Sequence, residues 1–343
     1  MPTPLDDLSW GHASRHYASS GQGQRDALFE ALDKRWTDMV KAAVPQAREQ
    51  VENAFRHWNT VVRDQLRNEM GLRLTVGGEA QSVPVRIVDG VPRAMAEALR
   101  TFEQWEWLLL HRPELEATVR GARLLTAHQP DTVALLGSEP PPATVAALTD
   151  ATVTAERLLV ALDHLEAIKR IVGCREDVLG AYFFQASEVR LYWVPLAIVS
   201  RLLGVPLDAL TVVILAHELA HAYSHLGRDI DGEAWSTQDF ADADLEMVEG
   251  IAQFYTQVIC RGLMQRFPSA LHAFDALLAN QGPAYTAFQR WTVGQERAGE
   301  IVRVAMIECR TKSVTNVKDF EASIDHHRQQ VKGRPPLTKP KAP

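Results

Sequence analysis

The sequence has little cysteine: Cys174, Cys260 and Cys309 are spread over 343 residues, and no two of them form a CxxC pair. Small secreted proteins that rely on disulfides have dense cysteines, and thiolate zinc sites need closely spaced pairs. The sequence therefore predicts neither a disulfide framework nor a cysteine-ligated zinc. A reducing compartment, the cytoplasm, is the expected location.

Long apolar runs and an excess of basic residues are also missing. A membrane-spanning helix needs about 20 consecutive apolar residues, and the longest candidate, residues 194–217, contains Arg201 and Asp208. The N-terminal segment lacks the basic-then-apolar order of a secretory signal. A net charge of −7 gives no broad basic surface for nucleic acid. We therefore expect a globular protein that binds neither membranes nor nucleic acids.

Most of the first part of the chain has the apolar periodicity of helices. Helices are predicted over 26–70, with an interruption at Pro45, and over 93–111 and 114–127. Between them, alternating apolar residues on both sides of Gly77 and Gly78 predict a β-hairpin over residues 72–88. A proline cluster at 137–144 predicts a boundary. Residues 1–137 are thus expected to form a helical N-terminal region.

The second part, residues 144–331, combines helices with two short strands. VLGAYFF and EVRLYWV are rich in β-branched and aromatic residues, as strands are. Helices are predicted at 144–173, 207–226, 241–263, 268–280 and 285–313. The proline-rich basic segment 332–343 is predicted to be a disordered tail. The fold class that follows is mainly α, of α+β type, with a small β-sheet.

The predicted helix at 207–226 carries the sequence HELAH. His217 and His221 lie one turn apart on the same face, so both imidazoles can bind one ion. Glu218 is rotated by about 100° around the axis, where it can reach a water on that ion without being a ligand. The apolar neighbours indicate a buried helix, in which uncompensated polar side chains would be costly. These residues predict a zinc site with Glu218 as general base.

A catalytic zinc site usually has a third protein ligand. His225 lies about 6 Å too far along a straight helix, so we expect it to line the cleft instead. Downstream, Asp242, Glu246, Glu249 and Gln253 recur at helical spacing and form one polar stripe. Both glutamates are candidates for the third ligand, and the two flanking residues are candidates for orienting the histidines.

HELAH followed by VEGIAQFY at 248–255 resembles the gluzincin metallopeptidases, particularly aminopeptidases in which a Glu-Gly-aromatic-Ala-x-aromatic helix follows the HExxH motif. The resemblance covers about residues 178–260. It implies a zincin-like metallopeptidase domain over 144–331, in which a small sheet lies beside the HExxH helix. Its ligand glutamate corresponds to Glu249. One departure is the separation of 28 positions between His221 and Glu249, which is longer than in those enzymes.

The resemblance also implies how the site works. The ligands of Zn²⁺ would be His217, His221 and Glu249. A strand before the HExxH helix would run beside the cleft and pair with an extended substrate. The amine-anchoring motif of the aminopeptidases has no counterpart here, so their exopeptidase specificity is not implied.

The predicted function is zinc-dependent hydrolysis of a peptide or protein substrate, with Glu218 moving a proton from water to the leaving amine. An oxyanion must also be stabilised. His225 and Tyr182 are candidates by proximity, and Arg303 and Arg310 are alternatives from a later helix.

Two other functions fit the same residues. One is a regulatory protease that cleaves a specific partner protein, with residues 1–137 as its sensing or partner-binding region. The other is a non-catalytic, zinc-containing binding or scaffold protein. The presence of Glu218 favours catalysis, because a purely structural zinc needs no base beside it.

Overall fold

The computed structural model describes residues 22–74, 83–127, 141–173, 178–229, 231–292 and 297–331. This part of the chain is mainly helical, as the sequence predicts. The helices are α1 (Gln22–Ala43), α2 (Ala47–Met70), α3 (Arg93–Arg100), α4 (Glu106–Leu110), α5 (Arg112–Ala127), α6 (Pro142–His164), α7 (Ala167–Val172), α8 (Trp193–Leu203), α9 (Leu207–Leu226), α10 (Thr237–Asp242), α11 (Leu245–Leu263), α12 (Pro268–Leu278), α13 (Pro283–Thr286), α14 (Phe288–Thr292), α15 (Ala298–Thr311) and α16 (Val317–Val331).

Three strands form the sheet: β1 (Val85–Val88), β2 (Gly180–Phe183) and β3 (Glu188–Tyr192), in the order β1-β3-β2. β2 and β3 pair antiparallel, and β1 pairs with β3 in parallel. This pairing differs from the hairpin predicted over residues 72–88. Its second arm is a strand, but the described residue Arg73 of the first arm forms an isolated bridge with Arg228 instead. Sequence alternation identifies a strand but not its partner.

Helix α9, which carries HELAH, is almost entirely buried. Its bounds are those predicted from sequence, and nearly all of its side chains are buried. A glycine directly after a helix predicts a left-handed cap, but Gly227 does not form one, since its φ is −62° and its ψ is 130°. A glycine is nevertheless required there, because a Cβ atom would lie 2.8 Å from the Cβ of Leu72 and still closer to the carbonyl oxygen of Tyr223. The end of α9 is therefore fixed by close packing.

Helix α2 from the N-terminal region packs along α9. Its buried residues recur every three to four positions, as an amphipathic helix requires, and they are Ala47, Val51, Ala54, Trp58, Val62, Leu66 and Met70. The helix ends at Gly71, whose φ of 64° is the left-handed conformation that glycine adopts without strain. Residues from both predicted regions belong to one hydrophobic core. The predicted zincin-like region therefore does not bury its central helix alone.

Some predicted features lie outside the described residues, and some described helices were not predicted. The first half of the predicted boundary at 137–144 and the whole tail at 332–343 are not described. Helices α8 and α16 have no counterpart among the sequence predictions, and most of α10 precedes the helix predicted at 241–263. Among the described residues, no helix is both long and apolar enough to cross a membrane.

Gly250 on α11 provides a test of this packing. A Cβ atom there would meet the ring of Trp291, with two ring atoms at 3.0 and 3.1 Å and a third closer still. Gly250→Ala is therefore expected to lower the free energy of unfolding by about 1–3 kcal/mol through overpacking. Chemical denaturation of the two proteins measures this difference.

Gly262 is the matched control, because it lies on the same helix, is exposed, and has only the flexible end of Gln65 nearby. Alanine is a better helix former than glycine, so Gly262→Ala should leave stability unchanged or raise it by up to about 1 kcal/mol. Equal effects at the two positions would contradict the packing described for Trp291.

Candidate metal centre

Two packed helices bring three ligand-type side chains together. α9 supplies His217 and His221, and α11 supplies Glu249. The Nε2 atom of His217 lies 3.1 Å from Oε2 of Glu249 and 3.1 Å from Nε2 of His221. The Nε2 atom of His221 lies 3.6 Å from the same carboxylate oxygen. All three residues are at most 5% exposed. This cluster could hold a metal ion.

The separations of the three atoms fit a zinc ion. With bond lengths of about 2.0–2.1 Å, neighbouring ligand atoms of a tetrahedral zinc site lie about 3.4 Å apart. The three atoms lie on a circle of about 1.9 Å radius, so one point just off their plane is at bonding distance from all of them. The facing Nε2 atoms of His217 and His221, 3.1 Å apart, could each give a lone pair to one shared cation.

The protonation states of His217 and Glu249 suit metal binding. Burial lowers the pKa of His217, so its imidazole is neutral at neutral pH. Burial acts to raise the pKa of Glu249, but the charge of His221 and hydrogen bonds from both histidines outweigh it and lower this pKa to about 2. Neutral imidazole and ionised carboxylate are the forms that bind a divalent cation.

Glu218 lies on the neighbouring face of α9, as predicted, and is 3% exposed. β2 passes close to it at Gly180, where a Cβ atom would lie 3.0 Å from Cγ of Glu218 and 2.6 Å from Cγ2 of Ile214. The absence of a side chain at Gly180 therefore lets the strand approach this carboxylate. Strand and helix together fix the position of the candidate general base.

A small pocket with a cavity volume of about 40 Å³ opens beside His217 and Glu218. Its apolar walls are Val172, Val178, Leu179, Gly180, Val213, Ile214 and Leu277. Its further polar lining consists of Gln253, Gln281 and Tyr285. The pocket therefore gives access to the metal cluster from the side on which Glu218 lies.

The structure distinguishes between the two candidates for the third ligand. Glu246 lies about one turn before Glu249 on α11. Its side chain is partly exposed and forms an ion pair with Arg290 at 2.8 Å. Glu249 alone of the two joins the histidines. Asp242, predicted to orient a histidine, is exposed and accepts a hydrogen bond from Gln238 instead. Of the residues in the polar stripe, Glu249 thus joins the buried cluster and Gln253 lines the pocket.

His225 and Tyr182, the predicted cleft residues, lie together but away from the described pocket lining. The ring nitrogen Nδ1 of His225 and the hydroxyl of Tyr182 are 2.9 Å apart, and Nε2 lies 3.2 Å from Oγ1 of Thr237. The ring stacks on Phe240, with centroids 4.5 Å apart. His225 therefore holds α10 against α9 and does not contact the cluster through any of these bonds.

The two arginines considered as oxyanion donors also lie elsewhere. The Arg303 side chain covers Gly71 at the end of α2. Arg310 is buried and donates to the carbonyl oxygens of Gly227 and Glu233, in the second case at 2.7 Å. Arg310 therefore fastens the loop that follows α9.

Tyr285 is a candidate functional residue that the sequence analysis missed. It lies on the short helix α13, lines the pocket, and has its ring centroid 5.9 Å from that of His217. A single tyrosine in a four-residue helix has no periodicity or motif to mark it. Only the folded chain brings it beside HELAH.

Comparison of the chain with models of protein families, with curated protein sequences and with solved structures found no match. The description of the site therefore rests on its geometry.

Replacing Glu249 should remove the metal. Purified protein is expected to contain about one metal ion per chain, and Glu249→Ala should lose most of it, because two histidines alone leave the coordination incomplete. Glu246→Ala is the matched control and should keep it, since its carboxylate pairs with Arg290. Elemental analysis of folded, dialysed proteins makes the measurement. Retention of metal by Glu249→Ala would disprove this ligand set.

His225 should make stability depend on pH. Burial, and then the positive charge of Arg310, lower the pKa of His225 to about 4, from an ordinary value of 6.5. Between these values the unfolded chain binds a proton that the folded protein does not, so the free energy of unfolding falls as pH falls from 6.5 to 4. The loss attributable to this residue is at most about 3 kcal/mol.

The measurement is urea denaturation of wild type and His225→Gln at several pH values. Because glutamine does not titrate, the wild type should lose more stability than the variant on acidification. Parallel curves for the two proteins would show that His225 does not contribute.

Proposed function

We propose that the protein is a zinc-dependent hydrolase that cleaves peptide bonds. The observation that carries this proposal is the convergence of His217, His221 and Glu249, with Glu218 on the wall of a pocket beside them. Nitrogen and carboxylate ligands of this kind are typical of catalytic zinc sites with three protein ligands. A three-ligand site keeps a position for water, which hydrolysis requires.

When bound, a zinc ion would act as a Lewis acid and lower the pKa of water toward about 7. Glu218 lies close to β2 at Gly180, one turn beyond Ile214 on α9. In this position it can accept the proton of the attacking water. After attack on the carbonyl carbon, the same carboxyl group gives the proton to the departing amine. The low exposure of Glu218 excludes bulk water from this exchange.

Tyr285 is our candidate for stabilising the negative charge that develops on the carbonyl oxygen. A phenol hydroxyl is a hydrogen-bond donor, and Tyr285 lines the same pocket as His217 and Glu218. The sequence predicts His225 or Tyr182 for this role, but these two side chains are hydrogen-bonded to each other in the core.

The position of Glu218 also supports catalysis over a purely structural zinc. Structural sites are closed, with four protein ligands. Among the described residues, the ligand-type side chains of this cluster number three, and they lie beside a pocket. A scaffold protein would have no use for a buried carboxylate on the open side. The peptide nature of the substrate is part of the proposal and is tested directly.

Glu218→Gln is expected to lower kcat by about 10²–10⁴-fold, because an amide cannot accept the proton. Metal content should remain that of the wild type, since Glu218 is not a ligand.

Tyr285→Phe should lower kcat with a smaller effect on KM, because its hydrogen bond forms in the transition state. A fluorogenic peptide library with zinc-loaded protein provides the assay.

The matched control is Glu246→Gln, the same substitution on a partly exposed side chain outside the pocket. It should cleave the library at the wild-type rate. Equal cleavage by wild type and Glu218→Gln would trace the activity to a contaminant and remove the proposed function.

A further inference from the structure

Two glutamines face each other in the wall of the pocket. Gln253 lies one turn beyond Glu249 on α11 and is 2% exposed. Its Nε2 atom donates to Oε1 of Gln281, which follows α12, at 2.6 Å. Both side chains line the pocket with His217 and Glu218. They form an amide pair directly beside the candidate metal centre.

The amide pair has hydrogen-bonding capacity left for a ligand. A carboxamide carries two N–H donors and an oxygen with two lone pairs, and one bond joins the two side chains. Within the described part of the chain, Oε1 of Gln253 is buried without a hydrogen-bond partner. Leaving such an atom unpaired costs about 1–3 kcal/mol. A donor from a bound molecule in the pocket would remove this cost.

The opposite wall does not offer the strand edge that the sequence led us to expect. An extended peptide often hydrogen-bonds to an exposed edge strand. β2 is instead buried, with Ala181, Tyr182 and Phe183 at most 3% exposed. Leu179 and Gly180, at the beginning of the strand, reach the pocket. Hydrogen bonds to a substrate main chain therefore have to come largely from another element.

Resting on the proposed function, we infer that Gln253 and Gln281 bind a main-chain peptide group of the substrate beside the scissile bond. A carboxamide presents a donor and an acceptor side by side, which matches the N–H and C=O groups of a peptide. The ligand class is thus an internal, uncharged segment of a polypeptide, and the enzyme is an endopeptidase.

The charges around the pocket support a neutral ligand. Among its described lining residues, His217 and Glu218 are the imidazole and the carboxylate, and the proposed function assigns them to the metal and to proton transfer. A free α-amine or α-carboxylate would need an additional charged partner. The aliphatic side chains of Val213, Ile214 and Leu277 suit an apolar substrate residue next to the bound peptide group.

The test uses binding to an inactive protein. Zinc-loaded Glu218→Gln, immobilised, is offered a library of N-acetylated, C-amidated hexapeptides and the same hexapeptides with free termini. Retained peptides are identified by mass spectrometry, and the Kd of the best blocked peptide is measured by calorimetry. We expect blocked peptides to be retained. Adding Gln253→Leu or Gln281→Leu should raise this Kd about tenfold, with zinc content and Tm unchanged.

The matched control is Gln257→Leu, the same substitution one turn further along α11 at a half-buried position outside the pocket lining. It should leave the Kd unchanged. If Gln253→Leu loses zinc or stability, Gln281→Leu decides the question, because Gln281 lies outside α11, the helix that carries Glu249.

Three results would overturn the inference: an unchanged Kd in the decisive variants, retention that requires a free terminus, or no retention of any blocked hexapeptide by zinc-loaded protein. Failure of the proposed function has a different signature. Wild-type protein without zinc, or without hydrolysis that depends on Glu218, would remove the enzyme assignment even if the amide pair still bound blocked peptides.

Discussion

The contact between Glu249 and His217 across α9 and α11 is the interaction on which the site depends. It joins a carboxylate and an imidazole that are both almost fully buried. An isolated carboxylate in such a position would be neutralised or expelled. Its ionised state at neutral pH is stabilised by the two histidines, and a shared cation would stabilise it further. The same contact therefore joins the two helices and brings the side chains of the cluster together.

Two glycines let neighbouring elements pack closely around the site. Gly180 lets β2 lie against the helix at Glu218, and Gly250 lets Trp291 lie against α11 beside Glu249. Gly180 lies next to Glu218 in space, and Gly250 follows Glu249 in the sequence. A larger residue at either position would change the spacing around the cluster, where displacements of a few tenths of an ångström matter for ligation.

Local patterns in the sequence predicted the elements of the site well. The bounds of α9 follow from its apolar content and from Pro206 before it, and HELAH marks its ligand face. Glu246 and Glu249 could not be separated by spacing alone, because both belong to one stripe. The distinction depends on which part of the α11 surface packs against α9, and no local pattern encodes that contact.

Features that depend on distant contacts could not be predicted. The pairing of β1 with β3, the positions of Tyr285 and Gln281, and the engagement of His225 with Tyr182 all bring together residues far apart in sequence. The histidine illustrates the difficulty. Its helical position predicts a place near the cleft, but its ring stacks on Phe240 and lies within hydrogen-bonding distance of Thr237 on that side of the helix.

The parallel pairing of β1 with β3 has a consequence for how the protein is assembled during synthesis. Val85 leaves the ribosome about 100 residues before its partner Val189, and α2 likewise precedes the helix that it covers. Parallel pairing over such a distance closes a long loop and is slow. The two histidines also emerge before their carboxylate. The cluster of His217, His221 and Glu249 therefore cannot be complete before α11 has been synthesised.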